Sequence, residues 1–475
     1  MKLIIGNWLW LVCVFLSAYA LGAKLESGGY RVAYDIEEKI NEHGVCKKVL
    51  TQVSIFSPSK ISPKYYDVFV PTQQMYEWQQ FIQSYQKNQA LQFPNTNYCF
   101  QAEQICLRDC PLEAKLNDTC VTWSVDETGN YKVSCESTIS TIGQQDCSSG
   151  RDIKNADGQD GQGGFSFSRL NMNGSRYNGS GDYSKEPWAC VEDKVTGLVW
   201  EVKTKNGDLH DQSKTYSWGG KSNSGAKVEG DWSDLVDKSN QEQLCGYDDW
   251  RVPSISELFG LALFKQEHIL DNIESNYFPN NQMKTVWSST PSDNNPWTVD
   301  FSIPNVFNYK ETEKKMVRLV RGRDIVPPDD TEKRYKLFDN GTVIDNLTQL
   351  MWQRCSVGQT WQDTTCSDKD DAKKLSWKNA LEYGPTNNFA GYGNWRMPNI
   401  KELHSLVIHQ RYNPALNIDV FPNNQIGSYW SSTPRKPYAE ILTINFKSGG
   451  RMTQRAPKSS KLYLRLVRDL PDSGN

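Results

Sequence analysis

The chain has 475 residues, 37% of them hydrophobic and 12% aromatic, which is enough for two or three domains with their own cores. Its formal net charge of −3 favours no particular class of partner. After the first 23 residues, no stretch is apolar for long enough to cross a membrane, which excludes a protein built on membrane-spanning helices.

Residues 1–23 have the pattern of a secretory signal peptide. Lys2 supplies a positive start, residues 9–16 form an apolar core, and the small residues Ala20 and Ala23 follow. We therefore expect an exported protein that is periplasmic, on the cell surface or secreted, and we favour a Gram-negative bacterium as its source.

The cysteines agree with export, because disulfides persist outside the cytoplasm. Cys355 and Cys366 lie in one loop and are expected to pair, as are Cys190 and Cys245. The seven other cysteines after the signal peptide have no predicted pairing. Their odd number implies one free thiol, one intermolecular bridge or an error in the two predicted pairings. They are Cys46, Cys99, Cys106, Cys110, Cys120, Cys135 and Cys147.

Residues 24–150 are predicted to form a Cys-rich N-terminal module, and residues 71–92 have the spacing of an amphipathic helix. The close trio Cys99, Cys106 and Cys110 is compatible with metal or redox chemistry. It contains no CxxC motif and has no nearby His, so we favour disulfides. No motif in this module indicates a function.

Residues 151–187 are rich in Gly, Asn, Ser and Asp and predict an extended connector. Asn155, Asp157 and Asp160 present oxygen ligands much as a calcium loop does. Gly161 lies one place off the usual position, however, and no Glu closes the loop. We favour a flexible turn over a calcium site.

The remainder of the chain contains one domain twice. The sequence GYDDWRVPSISEL at residues 246–258 returns as GYGNWRMPNIKEL at residues 391–403. Five blocks recur in the same order, which indicates a tandem duplication. We assign repeat one to residues 188–322, a linker to 323–335 and repeat two to 336–469. The other four blocks are TGLVW/TQLMW at 196–200 and 348–352, FPNN at 278–281 and 421–424, WSST at 287–290 and 430–433, and RLVR at 318–321 and 465–468.

Local chemistry predicts a helix after the Trp-Arg pair in each copy. Ser254 and Asn399 are good N-caps, and Glu257 and Glu402 three residues later complete a capping box. A second helix is expected just before. The WSST and RLVR blocks alternate apolar and polar residues as strands do, so each repeat is predicted to be α+β.

The repeat motif is interpreted as structural, with buried tryptophans and an arginine ion pair. An offset of 145 residues aligns Trp232 with Trp377. Because both copies keep the arginine while their surfaces diverge, we favour an ion pair over a ligand contact, and Asp249 is the candidate partner of Arg251. The motif residues are Trp250, Arg251, Glu257, Trp287, Trp395, Arg396, Glu402 and Trp430.

The residues do not predict an enzyme, a metal site or a cofactor. The serines at 288–289 and 431–432 are candidate nucleophiles, but no His or Asp holds a matching place in both repeats. His404 and His409 are five residues apart, which is a poor spacing for shared metal ligation on a helix.

Taken together, the five blocks resemble the Lcl C-terminal domain family, over more than half of the chain. The resemblance implies a C-type-lectin-like fold, in which the first and last strands pair and TGLVW lies beside RLVRG. It also implies an adhesin, because the family's namesake is a collagen-like bacterial adhesin that binds sulfated glycosaminoglycans. This chain lacks the Gly-X-Y repeat, and it lacks the EPN, QPD and WND triplets of calcium-dependent sugar binding.

The two copies differ in charge. Residues 192–322 contain 15 Lys and Arg against 20 Asp and Glu, a balance of −5, whereas residues 336–469 contain 18 against 11, a balance of +7. We therefore predict that repeat two binds an acidic or sulfated glycan. The alternative is an assembly subunit of a surface appendage or envelope complex that binds protein partners; nucleic acid is not the expected partner of an exported protein. The predicted ligand-binding residues are Arg435, Lys436, Lys447, Arg451, Arg455 and Lys458.

Overall fold

The computed structural model divides into two compact units, residues 1–112 and 113–475. Only the backbone is described for residues 29–40, 46–56, 66–71, 131–132, 454 and 455. The predicted signal peptide, the predicted helix beyond Pro71, the cysteine trio and residues 155–161 lie outside the described parts. The described ranges are 29–40, 46–56, 66–71, 116–121, 123–126, 131–132, 144–148, 164–219, 230–264, 272–281, 285–292, 295–322, 329–435, 440–447 and 454–470.

The first unit contains an antiparallel three-stranded sheet with β1 in the centre. Both long strands are rich in β-branched and aromatic residues, which favour extended backbone. The strands are β1 (Gly29–Ile40), β2 (Cys46–Phe56) and β3 (Tyr66–Pro71).

The second unit begins with a short strand pair and continues into repeat one. Repeat one combines a four-stranded antiparallel sheet of order β12-β8-β7-β6, two helices, and a three-stranded sheet of order β11-β10-β9. Its elements, with the strand pair first, are β4 (Ser124–Val125), β5 (Tyr131–Lys132), β6 (Phe167–Leu170), β7 (Cys190–Asp193), β8 (Leu198–Glu201), α1 (Ser233–Gln241), α2 (Ile255–Gly260), β9 (Thr285–Trp287), β10 (Trp297–Asp300), β11 (Asn305–Asn308) and β12 (Val320–Arg321).

Repeat two has the same plan, with sheets of order β13-β14-β15-β21 and β18-β19-β20 and an added hairpin of β16 and β17. Its elements are α3 (Thr331–Arg334), β13 (Tyr335–Leu337), β14 (Thr342–Asp345), β15 (Leu350–Gln353), β16 (Trp361–Gln362), β17 (Thr365–Cys366), α4 (Trp377–Tyr383), α5 (Ile400–His404), β18 (Ser428–Arg435), β19 (Glu440–Asn445), β20 (Gln454–Pro457) and β21 (Val467–Asp469).

In each repeat the strand of the first block pairs with the strand of the last. Val199 lies opposite Arg321 where β8 meets β12, and Met351 lies opposite Arg468 where β15 meets β21. Each domain is therefore closed by its own two ends, as the sequence analysis expected, and the α+β class is confirmed.

Both predicted capping boxes form. The Ser254 side chain accepts a hydrogen bond from the Glu257 backbone N–H, and Asn399 accepts one from Glu402 in the same way. Each glutamate in turn accepts from the backbone N–H of its N-cap residue, at 2.7 Å in repeat one and 2.8 Å in repeat two. These reciprocal bonds explain why α2 and α5 begin where they do.

The alignment of Trp232 with Trp377 is wrong in structural terms. The Trp377 indole donates to the Ser431 carbonyl, and in repeat one the indole that donates to the equivalent Ser288 carbonyl belongs to Trp218, at 2.9 Å in both cases. The short sequence YSW at 216–218 thus corresponds to LSW at 375–377. Repeat one carries an insertion between this tryptophan and its helix, and Trp232 packs edge-on against Trp218.

Two boundaries also differ from the sequence analysis. Residues 116–148 were assigned to the N-terminal module, yet they belong to the second unit, where Val121, Trp123 and Val125 are buried in the core. Residues 164–187 were assigned to a connector, yet Phe167–Leu170 forms the edge strand β6. A few large apolar side chains anchor each segment in the core, although the surrounding residues are polar.

One hydrophobic core runs through both repeats. Eight tryptophans are among the largest fully buried side chains of the described residues, which confirms the core interpretation of the repeated ones. Where the repeats meet, the His404 ring of α5 stacks on Phe259 of α2 with centroids 4.0 Å apart. Burial lowers the pKa of His404 well below its ordinary value, so this ring is neutral.

Candidate functional site

Both disulfides predicted within the repeats are present. Cys190 is bonded to Cys245, and Cys355 to Cys366. The first bond ties β7 to the turn before the GYDDWR block, and the second closes the β16–β17 hairpin of repeat two.

The first arginine of each RLVR block hydrogen-bonds two other segments of its own repeat. Arg318 donates to the Glu201 carbonyl and to the Asn281 side chain, at 2.6 and 2.8 Å. Arg465 likewise donates to the Gln353 carbonyl and to Asn424, at 2.8 and 2.7 Å. Burial lowers the pKa of each of these arginines to about 10. The FPNN and RLVR blocks therefore recur together because their side chains contact each other.

The arginine after each motif tryptophan pairs with the capping-box glutamate. Arg251 makes two bonds to Glu257, at 2.9 and 2.6 Å, and Arg396 makes two to Glu402, both at 2.7 Å. Burial by itself lowers the pKa of Arg396, but the Glu402 carboxylate outweighs it and the net shift is upward. The structural interpretation of these arginines accords with this geometry.

Asp249 was the wrong partner for Arg251. Its carboxylate instead receives two bonds from Arg321, at 2.7 and 2.9 Å, and Arg321 lies over the Tyr247 ring. Repeat two builds the same arrangement with an amide, since Arg468 donates to Asn394 at 2.6 Å. Adjacency in sequence pointed to Asp249, whereas the capping box places Glu257 nearer.

The repeated serines hold strands together. The Ser288 hydroxyl donates to the Trp297 carbonyl at 2.8 Å, and the Ser431 hydroxyl donates to the Leu442 carbonyl at 2.6 Å. Both serines are fully buried. These hydroxyls bridge neighbouring strands. Each of them donates its proton to a backbone carbonyl rather than to a basic side chain.

Repeat one contains a buried ionic network that the sequence analysis missed. The Glu201 carboxylate accepts from Lys203 and pairs with the His210 ring, both at 2.7 Å, and the other ring nitrogen faces Glu242 at 2.5 Å. Burial alone raises the pKa of Glu201, but Lys203 and His210 outweigh it and lower the pKa to about 2. Gln353 occupies the Glu201 position in repeat two, which is the one sequence signal that sets this residue apart.

The predicted ligand-binding residues are divided between two ends of the β18–β19–β20 sheet. Arg435 lies opposite Glu440 at one end, and Lys447 follows β19 at the other. Six residues of β19 separate the ends by roughly 20 Å. Arg435 is buried and paired with Glu440 at 3.2 Å, whereas Lys447 is exposed.

The other four predicted residues give a mixed picture. Lys436 and Arg451 lie outside the described residues, and only the backbone of Arg455 is described, opposite Leu442. The half-buried Lys458 ammonium donates to the Asp126 carbonyl at 2.7 Å. The described part of this set does not converge on one site.

Lysines from two distant parts of repeat two do converge. Leu375 and Leu462 exchange two backbone hydrogen bonds, which places Lys374 opposite Tyr463 and Lys461 opposite Ser376 on one face. Lys374 lies over the Tyr463 ring at 5.0 Å. Lys374 and Lys461 are diagonal neighbours across this pairing, and such neighbours are about 7–8 Å apart. We call the lysines around this pairing the lysine ledge: Lys374 and Lys461 share the face, and Lys373, Lys378 and Lys458 lie within four residues of one or the other along the chain.

Four of the five ledge lysines are exposed, and Lys458 is half-buried. Lys458 joins the ledge because its carbonyl accepts from the Trp377 backbone N–H at 3.2 Å. The exposed Asp370 and Asp371 border the ledge beyond Lys373, so its positive field is centred on Lys374 and Lys461.

The same surface of repeat one is less basic, because it keeps two lysines at the five equivalent positions. Tyr216 and Lys315 exchange the equivalent backbone bonds, and the Trp218 N–H donates to the Glu311 carbonyl. Glu311 therefore holds the position in repeat one that Lys458 holds in repeat two. By the same correspondence, the positions of Lys373, Lys374, Lys378 and Lys461 hold Lys214, Thr215, Gly219 and Lys314.

The described residues contain no group of three or more His, Cys, Asp or Glu side chains arranged to hold a metal ion. None of their helices is both long and apolar enough to cross a membrane.

Fold and motif contacts together define a tandem-repeat protein with two copies of one self-closing α+β domain. Residues 189–321 and 341–468 each match the Lcl C-terminal domain, and the chain belongs to that family. No curated protein matches the chain.

Proposed function

We propose that this is an exported, adhesin-like binding protein that recognises an acidic or sulfated polysaccharide through repeat two. The observation that carries the proposal is the lysine ledge, where lysines from two distant parts of the chain lie on one exposed surface. The ligand class is the one predicted from the sequence, but of the ligand-binding residues predicted there only Lys458 belongs to the ledge.

Clustered ammonium groups attract a polyanion in two ways. Their summed field raises the local concentration of an anionic chain, and binding releases the counterions condensed on that chain. Lysine suits this task because its flexible stem lets the charge follow sulfate or carboxylate groups at irregular spacing. The affinity is therefore expected to fall steeply with salt.

We also propose binding rather than catalysis. The Ser288 and Ser431 hydroxyls donate to strand carbonyls, and His210 is held between two carboxylates. These contacts support a structural role for the residues that would otherwise be candidates for acid–base or nucleophilic chemistry.

A C-type-lectin-like fold belongs to the same proposal. The pairing of β8 with β12 and of β15 with β21 supports it, because a domain closed by its own terminal strands is what the family resemblance implied. A complete strand-by-strand superposition on a C-type-lectin-like domain is its test.

The second candidate is an assembly subunit, favoured by the opposite charge balances of the two repeats. In that case the lysine ledge would meet the acidic repeat of another molecule. Sedimentation at low and high salt separates this function from the first, because it predicts self-association that salt abolishes.

The test is retention of the full exported protein on immobilised heparin and on neutral dextran across a salt series. A ledge variant carries Lys373→Ser, Lys374→Ser and Lys461→Ser. Its matched control loses the same charge at exposed lysines elsewhere, through Lys205→Ser, Lys336→Ser and Lys447→Ser. We expect salt-sensitive retention on heparin alone, lost in the ledge variant and kept in the control. Absence of retention at low salt would overturn the proposal.

A further inference from the structure

A segment before repeat one crosses both repeats. We call its described parts, residues 116–121, 123–126 and 144–148, the strap. Asn117 donates to Asp193 of repeat one at 2.5 Å, and the Thr119 carbonyl accepts from the Phe264 backbone N–H at 3.0 Å. The strap is thus fastened to repeat one at its start.

The strap is fastened to repeat two through side chains of α5 and β18. Asn399 donates to the Asp118 carboxylate at 2.9 Å, and the Lys401 ammonium donates to the Asp118 carbonyl at 2.7 Å. The Thr433 hydroxyl donates to Asp146 at 2.7 Å. All of these groups are buried.

Asp146 is the titratable group on which this fastening depends. Its Oδ2 accepts from both Thr119 and Thr433, while its buried Oδ1 has no hydrogen-bond partner among the described residues. Both Asp118 and Glu402 act on it as negative charges. The nearby cations, Lys401 and Arg396, are already engaged by Asp118 and Gly260 carbonyls and by Glu402.

This environment favours the neutral acid. Burial, and then the charge of Asp118, raises the pKa of Asp146 to about 8, against the opposing effect of the two hydroxyl bonds. A carboxyl whose pKa is raised on folding stabilises the folded state fully at low pH. That contribution is lost as the pH rises through the folded-state pKa. Burial also raises the pKa of Asp193, which acts in the same direction at the other end of the strap.

The strap also reaches the lysine ledge. The Asp126 carbonyl accepts the hydrogen bond from the Lys458 ammonium. We propose that the strap covers the Lys458 end of the ledge, and that its hold on repeat two weakens when Asp146 loses its proton. The effect on ligand binding rests on the proposed function, whereas the loosening of the strap does not.

Hydrogen exchange of strap peptides in the full protein tests the hold. Asp146→Asn keeps the shape of the side chain and cannot ionise, and comparison at equal pH cancels the intrinsic pH dependence of exchange. At pH 4, close to the ordinary carboxyl pKa of 3.8, Asp146 is protonated in the held strap and substantially protonated in the released one, and the wild type and this variant should exchange nearly alike. At pH 9 the wild-type strap should exchange at least tenfold faster than the variant. Equal exchange at both pH values would overturn the proposal.

Thr433→Val provides a second reading that does not depend on the folding of Asp146→Asn. The Thr433 hydroxyl stabilises the ionised carboxylate, so its removal should move the pH midpoint of strap loosening upward. A midpoint that stays in place or moves downward would contradict the assignment to Asp146.

Heparin binding of the same proteins separates this proposal from the proposed function. Release of one lysine should tighten wild-type binding at pH 9 by roughly fivefold relative to Asp146→Asn. Loosening of the strap without heparin binding at any pH would overturn the proposed function and leave the hold of Asp146 standing. Heparin binding without any loosening would overturn the strap and leave the function standing.

Discussion

Replacing Glu402 by Gln removes one charge from a buried ion pair and leaves the partner arginine in place. The side chains of Arg396 and Glu402 are 8% and 9% exposed, and the pair makes two bonds of 2.7 Å. Breaking a buried pair in this way costs roughly 3–5 kcal/mol. The half-exposed Asp469, also 2.7 Å from Arg396, stays and compensates in part, so we expect about 3 kcal/mol.

The equivalent change in repeat one should cost less. The Arg251 side chain is 25% exposed, so water can solvate part of its charge once Glu257 is Gln. We expect about 2 kcal/mol for Glu257→Gln. The matched control is Asp249→Asn, which reproduces the amide that repeat two uses at Asn394, and it should cost less than about 1 kcal/mol.

Thermal unfolding followed by tryptophan fluorescence provides the measurement. A change of 1 kcal/mol shifts Tm by roughly 2–4 °C for a domain slightly larger than one repeat. Glu402→Gln should therefore lower Tm by about 6–12 °C and Asp249→Asn by no more than about 4 °C. A shift below about 2 °C for Glu402→Gln, or equal damage from Asp249→Asn and Glu257→Gln, would refute the assignment of the ion pairs.

Two further predictions concern repeat one. Trp218→Phe removes the indole bond to the Ser288 carbonyl and should cost about 1–3 kcal/mol in chemical denaturation, and Trp232→Phe, made as its control, should cost less if Trp218 is the true counterpart of Trp377. Burial alone lowers the pKa of His210, but Glu201 and then Glu242 outweigh it and raise the pKa above 6.5. The stability that His210 contributes through these two glutamates is therefore complete below pH 6.5, and it is lost as the pH rises through the raised pKa of His210. His210→Gln should remove that part of the pH dependence of Tm, and an unchanged profile would contradict the network.

The repeated parts of the fold were predictable from sequence because each repeated block records a local or pairwise constraint. A capping box needs only residues i and i+3, and it correctly placed the starts of α2 and α5. The duplication, both disulfides and the pairing of the terminal strands were also found. The duplication is carried by residues that recur in order, and the Cys355–Cys366 disulfide by residues in one loop. Cys190 and Cys245 flank the first half of repeat one, and the pairing of the terminal strands was implied by the family resemblance.

The rest depends on contacts that leave no periodic signal. The strap is anchored by Asn117, Asp118 and Thr119, whose partners lie in repeats one and two. These partners are distant in sequence, so the sequence indicated a separate module. Likewise, Lys374 and Lys461 become neighbours only because Leu375 and Leu462 pair. The predicted basic residues, 435–458, are close in sequence but follow the strands of the β18–β19–β20 sheet. The fold therefore places them at two opposite ends of that sheet.

The most direct test of polyanion binding by the lysine ledge is the salt dependence of heparin affinity. Titrations of the wild type, the ledge variant and the matched lysine control would give the slope of log Kd against log salt. By analogy with nucleic acids, each lost lysine contact reduces this slope by about 0.7–0.9. The account predicts a reduction of about 2–3 for the ledge variant and little change for the control. Equal slopes and affinities for all three proteins would contradict it.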